Sequence, residues 1–360
     1  MITVTKPYLP DIAEYEKYVK KIFASGWLTN NGPLVQELEK KLKEYLGVKH
    51  LFFTGNGTIA IQIAIKALEL KGEIITTPFS YVATTNSILW EGCTPVFADI
   101  KNTDFNIDPG KIESLITENT SAILATHVYG NPCDVVAIKA IADKNNLKVI
   151  YDGAHAFGTR FNNQQVLAFG DIATCSFHAT KLFHTIEGGC IITNDDDLAE
   201  KIMLYRQFGH IGDEYYSIGV NGKNSEFHAA MGLCILPQME AIISKRALLI
   251  NEYNTIISEL KLQTPGALAN TSYNYAYYPV LFENEQQLVK AKEYLANCSI
   301  FTRRYFYPSL NKLPFAKGNG CPVSENISPR VLALPLYHEL EVTEVQTIGE
   351  YLKKFLHKKW

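Results

Sequence analysis

The chain has 360 residues, of which 47% are hydrophobic and 20% charged, enough to bury a large core and divide into two domains. Its formal net charge of −3 offers no basic field to nucleic acid or to an anionic membrane, so a small-molecule partner is expected. The residues after Met1 form neither a basic nor an apolar leader, and no stretch of about 18 residues is free of strongly polar groups, which predicts a soluble, cytoplasmic protein. The seven cysteines are odd in number, scattered and never spaced C-x-x-C, so the pattern predicts reduced thiols with no disulfide framework and no metal site.

In chain order, "VQELEKKLKEYLG" has apolar residues at helical spacing and a glycine stop, the pattern of an amphipathic helix. "HLFFTGNG" reads as a buried strand entering a turn, "TIAIQIAIKALEL" as the next helix and "EIITTP" as the next strand. "TPVFADI", "AILATHVYG" and "KVIYDGAHA" supply further strands. This alternation with short connections predicts an α/β fold, a mostly parallel sheet sandwiched by helices. Ligands in such sheets bind beyond the carboxyl ends of the strands, where Gly55, Asp152 and Ser176 fall. From about residue 245 the pattern changes to a charged helix, "SKRALLINEYNTIISEL", and an aromatic strand, "YNYAYYPVLF". The expected division is a large domain over 1–244 and a smaller C-terminal α+β domain over 245–360. The terminal "KKFLHKKW" reads as the exposed basic end of a helix.

Three local features carry chemistry. "TGNGTIAIQIA" is a glycine turn leading into a helix, where free amides and the helix dipole favour a phosphate, although an ordinary tight turn has the same composition. Asp152 ends an apolar strand at the active edge of the sheet; a helix N-cap is the competing reading. Lys181 stands in "SFHATKLFHTIEGG", within an uncharged stretch from Ile172 to Ile186, where desolvation favours a free, nucleophilic amine. A phosphate cradle, a buried carboxylate and a reactive lysine, in that chain order, match the needs of pyridoxal phosphate: a phosphate anchor, a partner for the ring nitrogen and an amine for the aldehyde.

At these motifs the sequence resembles the sugar aminotransferases of the DegT/DnrJ/EryC1/StrS family, which have the aspartate aminotransferase fold (pyridoxal phosphate fold type I). The resemblance covers almost the whole chain, through "SGWLTNNGPLVQELEKKLKEYLGVKH", "GNGTIAIQIA", "TTPFSYVATTNSI", "THVYGNP", "YDGAHAFG", "SFHATKLFHTIEGG", "GVNGKNSEFHAAMG", "TRRYFYPSL" and "LALPLYHEL". It implies that Lys181 bonds to the cofactor aldehyde and, once released, shuttles the proton. It pairs Asp152 with the pyridinium nitrogen, stacks Tyr81 on the ring and gives the phosphate to Gly57, Thr58 and Ser176. Asn221 matches an asparagine that reaches the phosphate from the neighbouring subunit, which implies a homodimer with shared sites. Two departures stand out: His155 occupies a position that is often glutamine, beside the ring hydroxyl, and Lys223 one that is often arginine, losing the bidentate fork.

Within the family, "SFHATK" with "EGG", together with "RRYFYP", looks most like the branch that aminates C4 of nucleotide-linked 4-keto-6-deoxyhexoses. The resemblance therefore implies dTDP-4-dehydro-6-deoxy-D-glucose as acceptor, L-glutamate as donor and dTDP-4-amino-4,6-dideoxy-D-glucose as product, O-antigen and antibiotic sugars being the usual destinations of such enzymes. Arg303, Arg304 and Tyr305 are the expected substrate-binding residues, a diphosphate or carboxylate being suited to the guanidinium groups; a basic, aromatic edge strand is the alternative. Competing functions are a C3 aminotransferase acting on a dTDP-3-keto-6-deoxyhexose and a non-enzymatic, cofactor-binding regulator, for which an added DNA-binding segment would be expected. A sugar 3-dehydratase would carry histidine in place of Lys181. His184 reads as a local structural group.

Overall fold

The buried runs between residues 50 and 193 assemble, in a computed structural model that describes residues 1–316 and 318–358, into one seven-stranded sheet. Its strands are β1 (His50–Thr54), β2 (Glu73–Thr76), β3 (Thr94–Phe97), β4 (Thr120–Thr126), β5 (Lys148–Asp152), β6 (Ile172–Ser176) and β7 (Gly189–Thr193). They lie in the order β1-β7-β6-β5-β4-β2-β3. All neighbours are parallel except β7, which runs antiparallel to both β1 and β6. The carboxyl ends of β1, β5 and β6 therefore share one edge.

Alternate residues of each strand enter different cores, as the two-residue period of a strand requires. Ile74, Leu124, Ile150, Ile172 and Ile191 pack beneath helices Gly57–Ala67, Val82–Trp90 and Asp196–Arg206. Ile75, Ile123, Val149, Ala173 and Ile192 face the other way, toward helices Pro33–Leu46, Val135–Asn145 and Glu226–Ile235. The sheet is thus a middle layer buried on both faces, which is why its strands read as continuous apolar runs. Helix Pro33–Leu46 stops at Gly47, whose φ of 62° is left-handed, as the glycine stop predicts.

The second core is built by the C-terminal part of the chain. Strands β8 (Tyr278–Leu281) and β9 (Val331–Leu334) pair antiparallel, and helices Met239–Glu259, Glu285–Asn297 and Val342–His357 supply the rest of its apolar contacts. The expected boundary at residue 245 falls inside helix Met239–Glu259: Met239 and Ile242 pack in the large core, Leu249 and Tyr253 in the small one. The first residues join the second core as well, because Ile2 bridges to Ile300 and Val4 accepts from the Leu336 amide at 3.1 Å. Of the expected basic terminus, Lys359 and Trp360 lie outside the described residues.

The aromatic strand expected over Tyr273–Phe282 is shorter than its composition suggests. Asn274 interrupts it, donating from Nδ2 to the carbonyls of His155 (2.7 Å) and Phe157 (2.9 Å) while its Oδ1 accepts from the Ala276 amide. Pairing begins only at Tyr278, and the detour sets Tyr277 against the large domain. All seven cysteines are unbridged and six are buried. Among the described residues no cluster of potential ligands for a metal ion occurs, and no helix is long and apolar enough to cross a membrane.

Candidate active site

The shared carboxyl edge of β1, β5 and β6 opens into a cavity of about 280 Å³, closed on its far side by Tyr277, Arg303, Tyr305 and Phe306 from the C-terminal part of the chain. Three corners of it are built by three different connections.

The first corner follows β1. The chain turns at Gly55 and Asn56, and Asn56 caps the helix by accepting the Ile59 amide on Oδ1 at 2.8 Å. The preceding amides, those of Gly57 and Thr58, belong to the first turn and can have no partner inside the helix, so they are left for a ligand at the positive end of the dipole. Close approach fixes the glycines here. A Cβ on Gly57 would lie 3.0 Å from the Ser176 Cβ, and a Cβ on Gly189 would lie 2.6 Å from the Asn56 carbonyl carbon. In the sheet Gly189 is registered between Thr54 and Ser176, so the glycine pair of "EGG" lets β7 pass beside the turn. Ser176 ends β6 and adds a hydroxyl to this corner.

The second corner is Asp152, buried at the end of β5. Its Oδ2 accepts from the Thr84 hydroxyl at 2.7 Å and its Oδ1 from the Ala154 amide at 3.0 Å. Both partners are neutral. Burial raises its pKa above the ordinary carboxylate value, opposed by those two hydrogen bonds and by the charge on Lys181. His155, three residues on, is buried between Phe306, stacked at 5.4 Å, and the edge of Tyr277 at 4.9 Å. Burial, aided by the Lys181 charge, pushes its pKa well below the usual value, so the ring is neutral at neutral pH. Its Nδ1 is buried without a hydrogen-bond partner among the described residues. Asp152 and the unpartnered Nδ1 of His155 therefore face the same cavity.

The third corner is Lys181, on the connection between β6 and β7. Its Nζ lies 3.5 Å from the Tyr277 hydroxyl and inside the cavity. His184 serves structure, since its Nε2 lies 2.7 Å from the Tyr8 carbonyl oxygen and its Nδ1 accepts from the Ile186 amide. His178 and Glu187, an ion-pair distance of 3.5 Å apart, stand at the rim. Tyr81 is half exposed at the start of helix Val82–Trp90, presenting its ring to the cavity.

Nine of the eleven expected site residues, Gly57, Thr58, Tyr81, Asp152, His155, Ser176, Lys181, Arg303 and Tyr305, therefore line one cavity. Arg304 does not. It turns to Glu285 (2.6 Å) and the Pro329 carbonyl (3.1 Å), with Tyr307 under its guanidinium; alternate residues of an extended segment face opposite ways, so Arg303 reaches the cavity and Arg304 cannot. Asn221 is exposed and outside the cavity of its own chain, although the next residue, Gly222, accepts the Gly55 amide at 2.9 Å. Lys223 lies over the Phe208 ring at 4.6 Å, its pKa lowered by burial and by Arg206. Sequence reasoning missed Thr84, Tyr277 and Phe306. Thr84 carried a local signal, being one helical turn from Ser80 in the "SYVATT" segment; Phe306 stood unremarked inside "RRYFYP", and Tyr277 carried none, because both reach the site only through packing with Phe79 and Tyr129 in an apolar cluster between distant parts of the chain.

Comparison with known proteins agrees with this construction. Residues 11–353 match the model of the DegT/DnrJ/EryC1/StrS aminotransferase family. A dTDP-4-amino-4,6-dideoxy-D-glucose transaminase of Escherichia coli is 42% identical over 98% of this chain and 98% of its own. The protein of the same name from Shigella dysenteriae is 43% identical over 94% and 95%. Among solved structures, that of DesI in the presence of its TDP-sugar product superposes with a TM-score of 0.95 at 30% identity, covering 99% of this chain and 93% of the other. With the expected fold, a lysine-bearing cavity at the expected edge of the sheet and a match over nearly its full length, the chain belongs to the DegT/DnrJ/EryC1/StrS aminotransferase family.

Proposed function

We propose that the protein is a pyridoxal phosphate-dependent transaminase that moves the amino group of L-glutamate to C4 of dTDP-4-dehydro-6-deoxy-D-glucose, giving dTDP-4-amino-4,6-dideoxy-D-glucose. The observation that carries the reading is the buried Asp152 carboxylate, bonded only to neutral donors and sharing a cavity with Lys181 and an open helix N-terminus. The names of the two relatives above 40% identity support the choice of sugar and of C4.

Bound pyridoxal phosphate supplies an aldehyde that takes up an amino group and a ring that spreads carbanion charge. The residues fit it. Gly57 and Thr58 amides, with the Ser176 hydroxyl, hold the phosphate. Lys181 Nζ would hold the aldehyde carbon and, when free, would carry the proton between the substrate carbon and the cofactor carbon. Asp152 would keep a proton on the ring nitrogen, so that the cationic ring can take up carbanion charge. Neutral His155 donates a hydrogen bond toward the ring hydroxyl. Tyr81 covers one ring face, while Arg303 and Tyr305 meet the nucleotide sugar from the rim. We assign Asn221 to the phosphate of a second copy, in a cytoplasmic homodimer with shared sites. The test is incubation with glutamate and a panel of dTDP-, UDP- and GDP-linked keto sugars, with the new amine located by NMR. A C4 amine on the dTDP sugar is expected; turnover of 3-keto isomers alone would overturn the assignment.

A further inference from the structure

A line of three buried hydroxyls leads through the large domain to Asp152. Thr126 closes β4, Ser80 lies on the connection after β2, and Thr84 stands in the first turn of helix Val82–Trp90. They are 1%, 2% and 0% exposed. Thr126 Oγ1 donates to Ser80 Oγ at 3.2 Å, Ser80 Oγ and Thr84 Oγ1 are 2.7 Å apart, and Thr84 Oγ1 donates to Asp152 Oδ2 at 2.7 Å.

The directions of these bonds follow from donor counting. An ionised Asp152 can only accept, so the single hydrogen of Thr84 is committed to it; Thr84 must then accept from Ser80, and Ser80 from Thr126. Each O–H dipole points toward the carboxylate and polarises the next. The chain does not serve the helix. Residue 81, not Ser80, is the N-cap, and no side chain caps that helix. A Ser80 hydroxyl placed to cap would leave Thr84 without its donor.

We infer that Thr126, Ser80 and Thr84 form a positioning device that favours the ionised form of Asp152 against its burial and keeps it turned into the cavity. With Oδ1 fixed by the Ala154 amide and Oδ2 by Thr84, the carboxylate has no freedom to rotate. The inference rests on the reading of the cavity as a pyridoxal phosphate site.

The experiment uses the full chain loaded with pyridoxal phosphate and compares Thr84→Val, Thr84→Ser and Ser80→Ala with the wild type. Four quantities are read: the absorption spectrum of the lysine-linked cofactor, the cofactor dissociation constant, the single-turnover rate with glutamate and the melting temperature without cofactor. Thr84→Val is expected to change the spectrum and to slow the half-reaction roughly ten- to hundredfold, the weight of one hydrogen bond to a charged group. Thr84→Ser, which keeps the hydroxyl, restores rate and spectrum. Ser80→Ala, one link removed, falls between Thr84→Val and the wild type. A Thr84→Val protein with wild-type spectrum and rate overturns the inference, as does failure of Thr84→Ser to rescue, or a loss that tracks melting temperature across all three variants. A wild type that takes up no pyridoxal phosphate overturns the cofactor reading beneath it, which separates the two failures.

Discussion

Asp152→Asn removes one charge at almost constant volume, and the structure sets what that costs. The asparagine oxygen can keep the Ala154 amide, leaving its NH₂ toward the Thr84 hydroxyl, which turns to accept and donates instead to Ser80 Oγ, 2.7 Å away. Ser80, its hydrogen released from Thr84, turns to donate to the Tyr81 carbonyl at 3.3 Å, so no buried polar group is orphaned. Burial raises the folded-state pKa of Asp152. A group held in this direction contributes stability in its protonated form at low pH and loses it as pH rises through the folded value. An asparagine never ionises, so the cofactor-free variant should melt at or above the wild type at neutral pH. The effect on chemistry has the opposite sign. Two unit charges in contact contribute about 4 kcal/mol at the effective dielectric of a protein, and losing that contribution slows the half-reaction with glutamate about a thousandfold. Rapid mixing of cofactor-loaded protein with glutamate gives the rate, and melts with and without cofactor give the stability. A rate within about tenfold of wild type, or a cofactor-free variant that melts well below it, would refute the reasoning and leave Asp152 as a structural cap.

Gly189→Ala would set a Cβ 2.6 Å from the Asn56 carbonyl carbon and 2.7 Å from the Gly57 amide nitrogen; a backbone shift of about 1–3 kcal/mol should appear as a lower melting temperature and weaker cofactor binding, and an unchanged protein would mean that β7 does not shape the phosphate turn. Arg303→Ala should raise KM for the nucleotide sugar while leaving the glutamate half-reaction unchanged, whereas Arg304→Ala, which frees Glu285 and the Pro329 carbonyl, should lower melting temperature and leave KM alone; steady-state kinetics and thermal melts decide between them. Refolding Lys181→Ala together with Asn221→Asp should recover about a quarter of wild-type activity, because half of the dimers then carry both lesions in one site and none in the other; dimers with bound cofactor and no recovered activity would mean that Asn221 does not act across the interface.

The alternation of apolar strands and amphipathic helices was legible because the inner strands of the main sheet are buried on both faces, so "EIIT" and "KVIY" show their state locally. The antiparallel course of β7 was not, since nothing in "GGCIIT" distinguishes a strand returning beside β1 from one continuing the parallel order. Chemistry placed at strand ends, Asp152 and Ser176, could be read because parallel sheets offer ligands that edge. Tyr277 could not, because its position depends on Asn274 bonding to the carbonyls of His155 and Phe157, more than a hundred residues away in sequence. The junction of the two cores hides a similar long-range fact: residues 2 and 4 complete a core otherwise made by the last third of the chain. Arg303 and Arg304 looked equivalent as neighbours, and only the direction of the extended segment separates the one at the cavity from the one paired with Glu285.

Lys181 is the proposed carrier of the cofactor. Borohydride reduction of the cofactor-loaded protein, followed by proteolysis and mass spectrometry of the peptides, reads this directly: the pyridoxyl mass should fall on the peptide containing Lys181 and nowhere else, and prior addition of glutamate without any keto sugar should abolish the label by displacing the lysine. A label on another lysine, or one on Lys181 that survives excess glutamate, would contradict it.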